Sequence, residues 1–184
     1  MELLDALAAT FDHTATIVAG VTPDQLDATT PCSAWDVRAL LAHTIGVVTN
    51  MGLGVRGEAL LGDLNATELE PDLGVQFSTV AGATMAAWRS VGLDAEVDVG
   101  AGPMPAMVAA SINLLDTAAH SWDIARATGQ PSELSADVAV AVMEACRMVV
   151  TDEVRSFAGF DAAVPVPADA SPTTQLVAFL GRQP

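Results

Sequence analysis

Leu3, Leu4, Leu7, Phe11, Ala15 and Val18 recur at steps of three and four residues and predict an amphipathic helix from Glu2 to about Ala19, which Gly20 and Pro23 end. A second helix is expected after Ser33, read as its cap, with Asp36 three positions on, where a carboxylate suits the positive helix end. Val37, Leu40, Leu41, Thr44 and Val48 form its core stripe, and His43 lies about 120° round from that stripe at 100° per residue. Phe77, Val80, Met85 and Trp88 mark a third helix over about Val75 to Arg89. The fourth and longest runs from about Met104 to Thr128, with Pro105 in its first turn, Gly129 at its stop and Pro131 beyond. It carries two stripes: Leu114, Ala118, Ser121, Trp122 and Ala125 are apolar or small, whereas Asn113, Asp116, His120 and Asp123 are polar and flanked by Ala109, Ala119 and Ala127. A fifth helix is predicted from Ser135 to Phe157 with Val138, Val142, Ala145, Cys146 and Val149 inward, and a last one with Ser171 as cap, Pro172 first and Gly181 after Leu180.

Residues 52 to 74 show no sustained period and read as a long loop with one short helical turn, either a binding loop or a plain surface connection. The alternation over Glu96–Val99 predicts one short strand, after which Gly100, Gly102 and Pro103 turn the chain. With no second strand apparent, a sheet cannot form the core. The fold class is all-α, and residues 1–184 are expected to make one domain.

Composition narrows the partners. A net charge of −16, from seven Arg, no Lys and 23 acidic residues, argues against nucleic acid and against an anionic membrane surface. Mean hydropathy is +0.41, yet Asp, Glu, Gly or Pro interrupts every apolar stretch short of the ~20 residues a spanning helix needs. Residues 1–20 carry Glu2, Asp5 and Asp12 and no basic start, so no secretory signal is read and a cytoplasmic location is expected. Cys32 and Cys146 form neither a metal-type pair nor a disulfide framework, which agrees with a reducing compartment. Asn65-Ala66-Thr67 matches a glycosylation sequon, which means little without secretion.

His43, Asp116 and His120 are the candidate metal ligands. Asp116 and His120 stand at i and i+4, with Cβ atoms about 5–6 Å apart on one helix face, and His43 would join them from another helix. Three protein ligands with positions left for water or substrate is the pattern of a catalytic metal. Asp123, three residues past His120, either supports it, pairs with Arg126 or faces water. Cys32 is set aside as a co-ligand because eleven residues of helix would place it about 15 Å from His43. Cys146 reads as core, and so do Trp35, Trp88 and Trp122. His13, the remaining imidazole, is either a structural residue or, with the carboxylates, a candidate general base. No phosphate loop, nucleophile elbow or Schiff-base lysine is present.

Three stretches together resemble a known family: Thr30-Pro31-Cys32-Ser33-Ala34-Trp35-Asp36-Val37 with Leu40 to His43, Asp116 with His120 to Gly129, and Leu176 to Arg182. They look like the actinobacterial metal-binding relatives of the mycothiol-dependent maleylpyruvate isomerase N-terminal domain, in the DinB-like superfamily. The resemblance implies an up-down-down-up four-helix bundle, here with one or two extra C-terminal helices, and a divalent metal, commonly zinc, between the second and fourth helices. It assigns His43, Asp116 and His120 as ligands. Asp116 stands where the isomerase has Glu and reaches about 1.5 Å less, one C–C bond. The activity implied is a mycothiol-dependent isomerase or S-transferase working on a small electrophile. Fe(II) or Ni would also suit two imidazoles and a carboxylate. The rival reading is a non-catalytic metal- or small-ligand-binding module that senses or sequesters, and a homodimer is open in either case.

Overall fold

The computed structural model describes residues 1–157 and 160–184. Four helices form a ring: α1 (Leu3–Ala19), α2 (Val37–Val55), α3 (Leu73–Ser90) and α4 (Ala106–Thr128). α1 packs on α3 and α4, and so does α2, which leaves α1 diagonal to α2 and α3 diagonal to α4. This is the up-down-down-up arrangement of an all-α DinB-like fold. The connections over 20–36 and 56–72 are long because α1 must cross to its diagonal and α3 must start again at the end where α2 began. The C-terminal region adds α5 (Ala136–Val149) against α4 and α1, α6 (Asp152–Phe157) and α7 (Pro172–Phe179) against α5. Among the described residues no helix is long and apolar enough to cross a membrane.

The core fills as the helical stripes require. Leu7, Val18, Leu40, Leu41, Ile45, Phe77, Trp88 and Leu114 are fully enclosed, and Phe11 meets Phe77 edge-on with ring centroids 6.1 Å apart. Thr10, Thr14 and Thr44 are tolerated there because each hydroxyl returns to the carbonyl four residues back. Trp88 Nε1 donates to Asn113 Oδ1 at 3.1 Å across the bundle. Asn113, part of the polar stripe of α4, is therefore a satisfied core residue.

Several boundaries differ from the sequence reading. α2 is capped by Asp36, whose carboxylate accepts from Ala39 N at 2.8 Å, and not by Ser33. It continues to Val55 through a segment read as loop, because Gly54 lets its backbone lie against the turn at Asp98 and Val99; a Cβ there would sit 2.5 Å from the Asp98 carbonyl. α3 begins at Leu73, with Asp72 accepting from Val75 N. The short turn inside the loop is a 3-10 turn over Leu64–Ala66.

A second strand exists: β1 (Glu96–Asp98) pairs antiparallel with β2 (Pro103–Pro105). Pro103 and Pro105 hid it, since prolines are confined to sheet edges, and a two-stranded ribbon is all edge. α4 accordingly starts at Ala106. The single helix expected from Ser135 to Phe157 breaks at Val150, whose φ −88°, ψ 79° is not helical, and Thr151 Oγ1 then accepts from Val154 N to start α6.

Candidate metal centre

α4 places Asp116, His120 and Asp123 on one stripe by its 3.6-residue period, and α2 brings His43 to face them. Both imidazoles turn Nε2 toward one carboxylate oxygen: Asp116 Oδ1 lies 3.8 Å from His43 and 3.4 Å from His120. The two rings stand perpendicular, 5.2 Å between centroids. One ligand atom from each of His43, Asp116 and His120 falls within 4.8 Å of the others, a spacing that one ion could span.

The far nitrogens are held as well. His43 Nδ1 pairs with Asn65 Oδ1 at 2.9 Å, and His120 Nδ1 with Asp123 Oδ2 at 3.2 Å. When each Nδ1 carries the donated proton, each Nε2 keeps a free lone pair on the Asp116 side, which is the tautomer a metal needs. Asp116 Oδ2 is buried and has no hydrogen-bond partner among the described residues. A carboxylate oxygen left so is costly, and a cation beside it would remove the deficit, so the donor set fits a divalent metal.

Without an ion, a proton takes that place. Burial works against a charge on His120, but Asp116 and then Asp123 outweigh it and push its pKa up to about 9. Burial likewise opposes ionisation of Asp116, and His120 with His43 nevertheless holds it well below the ordinary carboxylate range. The centre is thus balanced as an imidazolium between two carboxylates.

Asp123 is neither solvent-facing nor paired with Arg126. It is fully buried, and the Arg182 guanidinium forks onto it, Nη2 to Oδ2 at 2.9 Å and Nε to Oδ1 at 3.3 Å. Burial would raise its pKa, but His120 and Arg182 keep it lowered. Arg126 instead lies 5.5 Å over the buried Trp122 ring.

Cys32 corrects the sequence reading outright. Its sulfur joins a second group, Cys32, His120 and Asp123, with ligand atoms within 4.8 Å of one another. The helical rise used to place it does not apply, because the segment before α2 folds back: Thr29 bridges to Asp36, Trp35 N donates to Cys32 O, and the Thr30 hydroxyl lies 2.8 Å from Trp35 O. Burial first, then Asp123, pushes the thiol pKa up. Trp35 is half-buried against the core, as expected, and the same fold-back also brings its ring to the centre. It lies against His43 at 4.3 Å and meets His120 edge-on at 5.8 Å, walling the centre.

Trp88 and Cys146 are core residues as expected, and burial lifts the Cys146 thiol to about 12. His13 belongs to neither ligand group, and burial lowers its pKa. Asn65, Trp35, Cys32 and Arg182 are the neighbours that sequence reasoning did not place. Cys32 and Trp35 stood in the first motif of the resemblance and Arg182 at the end of the last, whereas Asn65 lay in none of the three.

The mycothiol maleylpyruvate isomerase N-terminal domain family matches residues 7–125, a span that holds His43, Asp116, His120 and Asp123. Two relatives are uncharacterized proteins of Mycobacterium tuberculosis, MT0763 of strain CDC 1551 / Oshkosh and Rv0738 of strain ATCC 25618 / H37Rv. Each is 32% identical over 178 residues, covering 93% of this chain and 92% of the relative. No solved structure matches.

Proposed function

Since the chain belongs to the mycothiol maleylpyruvate isomerase N-terminal domain family, we propose that it is a thiol-dependent metalloenzyme. In this reading His43, Asp116 and His120 hold a divalent ion, zinc by preference for this donor set, and the reaction is an isomerisation or S-transfer on a small electrophile with a thiol of the mycothiol class. The ion supplies one thing when bound: it lowers the pKa of a coordinated thiol or water, so that a nucleophile exists near neutral pH.

The chain's own residues do the rest. Asn65 and Asp123 fix the two imidazoles through Nδ1, Trp35 covers the His43 face, and Asp116 supplies the negative charge. A cavity of about 710 Å³ between the Cys32 loop and the C-terminal tail, lined by Cys32, Ala34, Leu180 and Arg182, offers room beside the centre for a small organic molecule. One observation carries the reading: two imidazole nitrogens converge on a carboxylate whose other oxygen is buried without a hydrogen-bond partner among the described residues.

The test is elemental analysis of the untagged protein and of His43→Ala, with the fold of the variant checked by circular dichroism. About one ion per chain is expected in the parent and a loss of most of it in the variant. Low-molecular-weight thiols should then raise the melting temperature of the metal-loaded protein by mass action. Metal content unaffected by His43→Ala would refute the site. A loaded protein indifferent to thiols would leave the metal and refute the thiol chemistry in favour of a binding module.

A further inference from the structure

We infer that the C-terminal tail completes the metal centre, with Arg182 as a positioning residue that fixes His120 by way of Asp123. The inference rests on the reading of His120 as a ligand, and it concerns a residue outside the family match at 7–125.

Asp123 is fully buried, and its polar partners are His120 and Arg182. A carboxylate touched by a single donor can swing about its own bonds. The two-pronged contact from Nε and Nη2 uses both oxygens and sets the carboxylate plane, so Oδ2 stays aimed at His120 Nδ1. A lysine ammonium would supply the charge without the plane.

The tail is built to present this guanidinium. Beyond α7, Arg182 N donates to Val177 O at 2.9 Å and Gly181 N to Ala178 O at 3.0 Å, the paired bonds of a Schellman helix end. Gly181 adopts φ +85°, and a Cβ there would sit 2.7 Å from the Asp161 carbonyl, so the turn admits glycine alone. Arg182 Nη1 also bonds Leu180 O, which ties the guanidinium to the same turn. Sequence positions 120, 123 and 182 thereby form one continuous chain of contacts ending at the Nε2 that faces Asp116.

Charge and orientation predict opposite outcomes when Arg182 is removed. Loss of a cation close to a metal would by itself tighten metal binding, whereas loss of a support for a ligand loosens it. Zinc affinity is read by chelator competition at fixed pH for the parent, Arg182→Gln, Arg182→Lys, Asp123→Asn and the Arg182→Gln/Asp123→Asn pair, with folding checked by circular dichroism.

We expect Arg182→Gln to weaken zinc binding about 10–100-fold, the usual range for such supports. Arg182→Lys should recover only part of the loss and keeps the test usable if the Gln variant folds poorly. The double variant should bind no more weakly than Asp123→Asn, because both act along one route. Unchanged or tighter binding in Arg182→Gln, or losses that multiply in the double variant, would overturn the inference while leaving the metal site standing. A parent protein that binds no zinc overturns the site itself, and the inference with it.

Discussion

His120 and His43 face the same carboxylate, yet they are held in different ways. His120 sits inside α4, within reach of Asp116 one turn before it and Asp123 one turn after it, and a half-buried guanidinium locks the second of these. His43 is held by an exposed loop residue, Asn65, and by the indole of Trp35 from the segment before α2. One half of the centre is a buried charge network and the other a solvent-edged clamp of neutral groups. Low dielectric strengthens the first and makes it intolerant of a missing member, whereas water can stand in for parts of the second.

The widest separation between the halves should appear in the metal-free protein. His120→Ala removes the buried member of the ion pair and leaves the Asp116 carboxylate, with its buried Oδ2, short of its nearest partner, and should lower stability by about 3 kcal/mol. His43→Ala removes a partly exposed ring that stands farther from Asp116, 3.8 Å against 3.4 Å, and should cost about 1 kcal/mol. Urea unfolding of both variants after chelation checks this, and equal losses would erase the distinction.

The pH response sharpens it next. The folded-state pKa of His120 is raised from 6.5 to about 9, so the stability it contributes is fully present below pH 6.5 and is lost as pH climbs through 9. The metal-free protein should therefore lose on the order of 3 kcal/mol across that window. His43→Ala should keep most of this slope and His120→Ala should abolish it. A bound ion displaces the proton, so the loaded protein should not show the fall.

This difference also explains what was legible in the chain. Positions 116, 120 and 123 obey the period of one helix, so their shared face followed from spacing alone. The partners of His43 obey no period. Asn65 lies 22 residues away in the irregular connection after α2, where its only apparent sequence signal was a sequon, and Trp35 reaches the centre because the chain before Asp36 folds back where helical geometry would have carried it away. Helical rise applied to that segment is what displaced Cys32. The four-helix bundle was readable because its stripes are long. The ribbon at 96–105 and the break at Val150 were not: Pro103 and Pro105 mask the second strand, and the apolar spacing runs on through Val149 without marking the non-helical backbone of Val150.

The smallest effect is the most discriminating, because it converts one half toward the other. Asn65 Oδ1 accepts the His43 Nδ1 proton as a neutral amide, where Asp123 does the same for His120 as a carboxylate. Asn65→Asp keeps the shape and places a charged acceptor there. A hydrogen bond to a charged group exceeds a neutral one by about 1 kcal/mol, and a more basic imidazole is a better ligand. Zinc affinity should rise about fivefold in Asn65→Asp and fall by a similar factor in Asn65→Ala, with unfolding free energy in both within about 0.5 kcal/mol of the parent. The two variants moving affinity in opposite directions would mean that the acceptor, and not the loop that carries it, sets the strength of the His43 half. A common fall in both would mean that the loop itself does the holding.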